Sequence, residues 1–422
     1  MRSAITGWRR SGARIDGFDL TVLAAFAALS VWVAALDAWQ VAVNNRVWTG
    51  TDGVCVVDQL QYLAWIRDAS RHGLVSNLFV LHHTPADFFQ PAVAISGALS
   101  ALGVAPWLSL MLWKPIAVAA CFMAVRRYVA RSLADRWQRR AALVLALFFG
   151  SATVIYGSVG AIGELFPPFL AWGYVFGLLA LAAMVAALLC HERALTAGRI
   201  SSTAGLLGAL ASWLHPWNGE LLIVVVLGAE AITWRQQRFA SAQLAHTALT
   251  VVMTAVPLAY YALLGGVDLS WRLARVASAH SFPLWSIALE VLPLVVPAVI
   301  VYRDAPGSFL EAATRVWPIA AVAIFALSST GLGGTPVHAF QGITIPLSVL
   351  AVASAGRAGV GRLRHPLVAA WVAVAAFTIP AAIYQLNSAR QLVAPRVALL
   401  TSSLPTSAAR CNTWPPITSH AA

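Results

Sequence analysis

The chain has 422 residues, of which 59% are hydrophobic and only 10% are charged, and its formal net charge is +12. Charged side chains make up about a quarter of an ordinary soluble domain, so the composition excludes that class of protein. Apolar runs long enough to cross a bilayer recur along the sequence, without the short alternating segments of a membrane β-barrel. The sequence therefore predicts an all-α, polytopic membrane protein.

The predicted elements begin with a basic N-terminus, residues 1–18, and an apolar run that is too long for the core of a signal peptide. This run predicts a retained first span, at the start of a transmembrane domain over residues 19–386. Residues 387–422 then form a polar tail. We predict about eleven spans, near residues 20–39, 106–125, 141–160, 168–190, 202–214, 219–234, 247–264, 284–302, 316–330, 343–356 and 366–386.

The arginines indicate the orientation of these spans. They cluster between alternate spans, above all in "RRYVARSLADRWQRR" at residues 126–140. By the positive-inside rule this segment and residues 1–18 are cytoplasmic, so the long first loop (40–105) and the tail are extracytoplasmic. We expect a multi-pass protein of the inner (plasma) membrane in contact with membrane lipids. Because a basic excess of this kind indicates topology, no nucleic-acid partner is predicted.

The first loop contains the stretch "VVDQLQYLAWIRDASRHGL" at residues 56–74. On a helical wheel its polar and aromatic side chains share one arc, which predicts an amphipathic helix lying on the membrane surface. These side chains are Asp58, Gln61, Tyr62, Trp65, Asp68 and His72. The apolar stretch at residues 90–103 is too short to span and predicts a second interfacial or re-entrant helix.

Three acids of the outer loops are candidates for chemistry. Asp58 opens the polar helix, where a carboxylate acts either as an N-cap or as a general base. Asp52, in "TGTDG", favours a tight turn and is also a candidate substrate-binding residue. Glu164, in "GAIGELFPPF", is either a solvated loop residue or a metal ligand. Together with Asp58 it could hold a divalent cation, Mg²⁺ or Mn²⁺.

Two later outer loops contain paired polar residues that could bind a substrate. His215 and Asn218 lie in "SWLHPWNGELL", between two short predicted spans. His338 and Gln341 lie in "GGTPVHAFQGITIP". Each segment is a candidate binding site for a polar ligand, although Pro216 also suits a tight hairpin.

Three basic residues are further candidates for substrate binding. Arg272 and Arg275, in "DLSWRLARVASAH", suit bidentate contacts to a phosphate, and lipid headgroups would satisfy them equally well. Lys114 is the only lysine and lies inside a predicted span. A buried cation there is a functional hypothesis by default, with a lipid phosphate as one partner, and a structural ion pair with Glu230 or Glu290 is the alternative.

Two outward-facing cysteines, Cys55 in the first loop and Cys411 in the tail, suggest a disulfide, since an oxidising exterior permits one. Such a bond would hold the tail beside Asp58.

The order of these features resembles the GT-C superfamily of polyprenyl-phosphate-dependent membrane glycosyltransferases. In that superfamily the first outer loop often carries an Asp-Glu pair followed by a tyrosine, and "DQLQY" supplies Asp58 and Tyr62, with Gln59 in place of the glutamate. The segment "HHTPADFFQPAV" is similar to a second motif of the loop. The resemblance implies transfer of a hexosyl or pentosyl group from a polyprenyl-phosphate donor to a glycan, lipid or protein hydroxyl of the cell envelope, with Asp58 as general base. The absent glutamate leaves metal dependence open.

Two other classes of protein stay open. An intramembrane lysine and scattered acids also fit a transporter or lipid flippase, and a non-catalytic scaffold subunit is a third reading. Transporters often contain inverted repeats, and no repeat is visible in this sequence. The polar residues concentrate in the outer loops, which favours sugar transfer at the extracytoplasmic face.

Overall fold

The structure is a computed structural model, and it describes residues 15–48, 50–51, 56–78, 80, 83–150, 165–234, 241–277, 283–328, 335–357, 368–370, 372–374, 376 and 402–403. Its helices are α1 Gly17–Asn44, α2 Val56–His72, α3 Pro91–Ala101, α4 Pro106–Met111, α5 Trp113–Ser132, α6 Arg136–Phe148, α7 Pro167–Gly173, α8 Val175–Thr196, α9 Thr203–Leu214, α10 Pro216–Trp234, α11 Ser241–Val267, α12 Leu269–Ala277, α13 Leu284–Ala298, α14 Phe309–Leu327 and α15 Thr344–Arg357. Short 3₁₀ helices cover Val299–Arg303 and Pro336–Phe340. Four short strands are β1 Val47–Trp48, β2 Val75–Ser76, β3 Ala86–Phe88 and β4 Ser402–Ser403.

The described part of the chain contains eight segments long and apolar enough to cross a membrane. They are Gly17–Asn44, Pro106–Ser132, Val175–Thr196, Pro216–Trp234, Ser241–Val267, Leu284–Arg303, Phe309–Leu327 and Pro336–Ala355. The predicted all-α polytopic architecture is confirmed. Helix α9 is apolar but has only 12 residues, and the predicted spans at 141–160 and 366–386 fall partly outside the described residues. The number eleven and the orientation stay predictions.

The arginine-rich end of the bundle is held by ion pairs to the start of α1. Asp16 caps α1 by accepting the backbone N–H of Asp19, and the carboxylate of Asp19 accepts the N–H of Asp16 in return. Arg140 lies 2.7 Å from Asp16, and Arg126 lies 2.8 Å from Asp19. The capping box thus fixes where α1 begins and binds its first turn to α5 and α6.

Helix α8 lies at the centre of the bundle, with 83% of its apolar window buried. It packs against α5 and α9, and its polar C-terminal residues are accommodated by hydrogen bonds. His191 lies 3.1 Å from Glu230 and 3.1 Å from Thr250. Glu230, a predicted alternative partner of Lys114, also accepts hydrogen bonds from Thr247 and Gln243. These contacts give that buried carboxylate the partners that a low-dielectric interior requires.

The predicted helices of the first outer loop are present, and the amphipathic one is α2. It packs against α3, and its residues Ile66 and Ala69 are buried, whereas Leu60 is exposed. A Cβ on Gly97 of α3 would approach the Cβ of Ala69 to 2.6 Å, so only glycine permits this contact. The aromatic arc of this helix packs against neighbouring helices, and its position relative to a membrane surface stays a prediction.

Backbone pairing also connects the first loop with the tail. Strand β1 pairs antiparallel with β4, so residues 402–403 lie beside residues 47–48. Cys55 and Cys411 lie outside the described residues, and their disulfide stays a prediction. The pairing does place part of the tail at the first loop, as that hypothesis requires.

Candidate functional site

A narrow crevice lies between α2, the α4–α5 junction and the α7–α8 junction. Its lining residues are Gln59, Tyr62, Leu110, Met111, Lys114, Trp172, Gly173 and Val175. Gln59 and Lys114 are buried, and the ring of Tyr62 packs edge-on against Phe176 at 4.8 Å. The crevice therefore combines apolar walls with an amide, a phenol and an ammonium group.

Asp58 lies beside this crevice. It is half-buried in the first turn of α2, and Tyr62 follows it by four residues, which places both side chains on the same face of the helix. Because α2 begins at Val56, Asp58 is the third helical residue and does not occupy the cap position before the helix. The N-cap interpretation is therefore wrong in position, although a carboxylate in the first turn still stabilises the helix through its dipole.

Lys114 is held by backbone carbonyls. Its ammonium group donates to the carbonyl of Ser30 at 2.8 Å and to that of Trp172 at 2.7 Å. Helix α7 ends at Gly173, so the Trp172 carbonyl belongs to the last turn, which carries the negative end of the helix dipole. The lysine thus connects α1, α5 and α7 beneath the crevice.

Tyr174 lies at the break between α7 and α8. Its backbone (φ −126°, ψ 59°) is not helical, and a Cβ on Gly177 would collide with its ring. Its ring lies 5.6 Å from that of His215 and 6.4 Å from that of His338. Since Gly173 and Val175 line the crevice, Tyr174 connects the crevice to a second polar cluster.

This second cluster consists of two similar segments, His215-Pro-Trp-Asn218 and His338-Ala-Phe-Gln341. The two imidazole rings lie 5.0 Å apart. In each segment the backbone N–H of the amide residue donates to the carbonyl of the histidine, at 3.0 Å for Asn218 and 3.1 Å for Gln341. In each segment, therefore, the carboxamide residue follows the histidine by one turn of the chain. The histidines of the two segments contact each other.

The amide side chains of this cluster are buried without hydrogen bonds. Asn218 and Gln341 are each 0% exposed, and neither their oxygen nor their nitrogen atoms have a partner in the part of the chain that the structure describes. The same holds for Nδ1 of His215. Burial, with a smaller contribution from the charge of His338, holds the pKa of His215 well below its usual range. His215 is therefore neutral at physiological pH.

A wall of aromatic rings joins the first loop to α12. The indole N–H of Trp271 donates to Asp87 at 2.9 Å, and its ring stacks on Phe88 at 4.7 Å. Its ring also lies 6.1 Å from that of Trp65 on α2. Arg272, the next residue, is exposed, so α12 presents a cation at the same end of the bundle as α2.

Comparisons with known proteins agree with this geometry at the level of the fold. No protein-family model matches the sequence, and no curated protein matches it. The structure is similar to that of the Archaeoglobus fulgidus oligosaccharyltransferase, solved with a tethered acceptor peptide containing the NVT sequon. The TM-score is 0.50 and the identity 14%, over 91% of this chain and 56% of that enzyme.

The fold of this chain is similar to that of the oligosaccharyltransferase. The chain spans only about half the length of the oligosaccharyltransferase, 56% of that chain. The likeness shows the fold alone, and the activity of this chain is argued separately below.

Within this fold the predicted site residues fall into three groups. Tyr62 and Lys114 lie at the crevice, with Gln61 half-buried on the same helix as Tyr62. His215, Asn218, His338 and Gln341 lie in the second cluster, and Arg272 and Arg275 lie on α12. Asp52 and Glu164 lie outside the described residues.

Sequence reasoning missed two residues of the site. Gln59, which lines the crevice, was noted only as the position where the superfamily often has glutamate. Tyr174 was not singled out, although Gly173 before it and Gly177 after it interrupt an apolar run in which a helix break is plausible.

The predicted divalent cation is not tested by the residues described. Among them, no group of three or more His, Cys, Asp or Glu side chains could hold a metal ion. Glu164, the predicted partner of Asp58 in that site, is outside this set, so the cation stays a prediction.

Proposed function

We propose that this protein is an integral membrane glycosyltransferase that moves a sugar from a polyprenyl-phosphate donor to a hydroxyl group of a cell-envelope glycan, lipid or protein. The transfer takes place at the extracytoplasmic face of the plasma membrane, with Asp58 as general base. The observation that supports this proposal is the similarity of the fold to that of the oligosaccharyltransferase, with the Asp58–Tyr62 face of α2 beside the crevice.

The reaction requires a base and a stabilised leaving group. The carboxylate of Asp58 takes the proton of the acceptor hydroxyl while the acceptor oxygen forms a bond to the anomeric carbon. The bond between that carbon and the phosphate oxygen breaks, and polyprenyl phosphate leaves with the electron pair. Positive charge develops at the sugar carbon and negative charge on the phosphate, so a carboxylate and a nearby cation complement the transition state.

Of the remaining site residues, some are proposed to bind the donor and others the acceptor. Arg272 and Arg275 on α12 are proposed to bind the donor phosphate, since guanidinium groups match phosphate oxygens in pairs. Tyr62 and Gln61 on α2 are proposed to orient the acceptor hydroxyl next to Asp58. Lys114 supports the site from below through its carbonyl contacts. A divalent cation held by Asp58 and Glu164 would supply further charge for the phosphate.

The test compares purified full-length wild type with Asp58→Asn. Each protein is incubated with short-chain polyprenyl-phosphate sugars and membrane extract as a source of acceptors, and release of free polyprenyl phosphate is followed. Asp68→Asn is the matched control, because Asp68 lies on the same helix but accepts hydrogen bonds from Ser76 at 2.7 Å.

We expect turnover by the wild type and the Asp68 variant, and a loss of about a hundredfold or more in the Asp58 variant. Equal turnover by the Asp58 variant would remove Asp58 as base. If the folded wild type turned over none of a panel of donors but moved a lipid or solute across vesicles, the transferase proposal itself would fail.

A further inference from the structure

The two histidine–amide segments contain polar atoms that are costly to bury. Asn218 and Gln341 each present an oxygen and two amide hydrogens, and His215 presents Nδ1, without partners in the described part of the chain. A buried polar group without a hydrogen bond destabilises a protein. Five such atoms around one contact between two histidines indicate a site that a polar ligand completes.

The chemistry of the segments restricts that ligand. A carboxamide donates and accepts hydrogen bonds from adjacent atoms, and a neutral imidazole does the same from its two nitrogens. A sugar hydroxyl also both donates and accepts, so neighbouring hydroxyls of one ring can satisfy the amides of Asn218 and Gln341 together. An apolar lipid tail would satisfy neither.

The described residues of the cluster provide imidazole, carboxamide and phenol groups, and none of them is a carboxylate, an arginine or a lysine. Glu220, the nearest acid in this segment, follows Asn218 by two residues on α10, so it faces another side of that helix. To be buried here, an ammonium group on the ligand would need a carboxylate partner from the protein. A carboxylate on the ligand would likewise need a cation.

We infer that His215, Asn218, His338 and Gln341 bind the transferred sugar, and that this sugar is neutral, with neither an amino nor a carboxylate substituent. The inference rests on the proposed glycosyltransferase function and names the class of sugar for the same site. The ring of Tyr174, which lies between two residues that line the crevice, is 5.6 Å from the ring of His215 and 6.4 Å from that of His338, so the cluster adjoins the crevice. The donor phosphate lies outside the cluster, where charged groups are available.

Thermal unfolding of the detergent-purified full-length protein tests this site without relying on turnover. The probes are farnesyl phosphate alone, farnesyl-phosphoryl mannose and farnesyl-phosphoryl glucosamine. For the wild type we expect farnesyl-phosphoryl mannose to raise the melting temperature more than farnesyl phosphate does. Farnesyl-phosphoryl glucosamine should raise it no more than farnesyl phosphate. The variants are Asn218→Leu and Gln341→Met, which keep the shape of the side chains and remove their polar atoms.

The expected result is a specific pair of changes. Without ligand, both variants melt at or above the wild-type temperature, because an unpartnered buried amide has been removed. With mannose donor they lose the sugar increment and bind up to about tenfold more weakly, but they respond normally to farnesyl phosphate. The matched control is Gln243→Met, because Gln243 donates to Glu230 at 3.2 Å. It should melt lower and keep the mannose increment.

Three outcomes would overturn the inference. If Asn218→Leu and Gln341→Met kept the extra rise in melting temperature with the mannose donor, the cluster would hold buried water and no sugar. The proposed transferase function would remain intact. A wild type that prefers glucosamine would make the sugar class wrong. A wild type that responds to none of the probes would remove both this inference and the proposed function.

A fourth variant keeps the test decisive if the apolar ones do not fold. Gln341→Glu preserves the size of the side chain and supplies the acid that an ammonium group needs. It should shift the preference from mannose towards glucosamine, and an unchanged preference would contradict the placement of the sugar beside Gln341.

Discussion

The ammonium nitrogen of Lys114 lies 2.7 Å from the carbonyl oxygen of Trp172, so the single lysine of the chain closes the C-terminal end of α7. A cation at this position compensates the dipole of the helix and satisfies a carbonyl that has no partner within the helix. Because its second contact is the carbonyl of Ser30 on α1, the same group fixes the position of α1 against the crevice.

Lys114→Met should therefore lower the free energy of unfolding, by about 2 kcal/mol, the scale of a hydrogen bond to a charged group. Lys114→Arg should not restore it, since a planar guanidinium does not fit a site shaped for a compact ammonium. Thermal unfolding in detergent measures both, with the exposed Arg272→Met as control for the loss of a charge. An equally stable Lys114→Met protein with weakened donor binding would instead assign the lysine to the phosphate.

Gly342 supports the segment that contains His338 and Gln341. Its φ is +71°, and a Cβ there would collide with Leu181 of α8. Gly342→Ala should cost about 3 kcal/mol, of which about 1–2 kcal/mol is backbone strain and the rest the overlap. Gly198→Ala is the control, because Gly198 also has positive φ (+61°) but has nothing within 4 Å of its Cβ position.

We expect Gly198→Ala to lose only the backbone contribution, measured as the difference in melting temperature. Equal losses in the two variants would contradict the packing of Leu181 against Gly342. The Gly342 variant should also bind sugar donors more weakly, since Leu181 would displace the turn before Gln341.

The sequence predicts the helices of the first loop and the polar residues of the site, but not how they meet. Alternation of arginine clusters and apolar runs is local information, and it suffices for an all-α membrane protein. The contact between His215 and His338 joins residues far apart in the chain and depends on tertiary packing, which no local pattern contains. The packing partners of Tyr62 and Trp65 on α2 could not be named from the sequence, because tyrosine and tryptophan suit a membrane interface and a protein interior equally well.

The neutral state of His215 makes stability depend on pH. Burial depresses its pKa in the folded state, while the unfolded chain takes up a proton near pH 6.5. The unfolded state then binds more protons, so stability is fully present above pH 6.5 and falls as the pH decreases below it. The slope is about 1.4 kcal/mol per pH unit for one proton.

His215→Gln cannot take up this proton, and its stability should fall less between pH 7 and pH 5 than that of the wild type. His72→Gln is the control, since His72 is exposed on α2. Chemical denaturation at a series of pH values gives the two slopes. Parallel curves for wild type and His215→Gln would mean that His215 is charged when folded.

Asp16, at the arginine-rich end of the bundle, gives a second pH dependence of stability, caused by a carboxylate with a depressed pKa. The pKa of Asp16 is lowered from 3.8 to about 2, chiefly because its carboxylate accepts the backbone N–H of Asp19; desolvation, the next largest effect, raises the pKa, and Arg140 and Arg136 lower it. This depressed pKa stabilises the fold above about pH 4, and the contribution is lost as the pH falls towards 2. Because the side chain is 41% exposed, solvent screening limits the ionic part to about 0.5 kcal/mol.

Asp16→Asn separates the charge from the cap, because asparagine caps a helix as well as aspartate does. It should lose about 0.5 kcal/mol at neutral pH, and its melting curve should join that of the wild type between pH 4 and pH 2. Asp16→Ala removes the cap as well, so it should lose about 1 kcal/mol more and stay below the wild type at every pH. A gap between wild type and Asp16→Asn that persisted at pH 2 would show that the arginines act on Asp16 by packing, because a protonated carboxyl no longer attracts them.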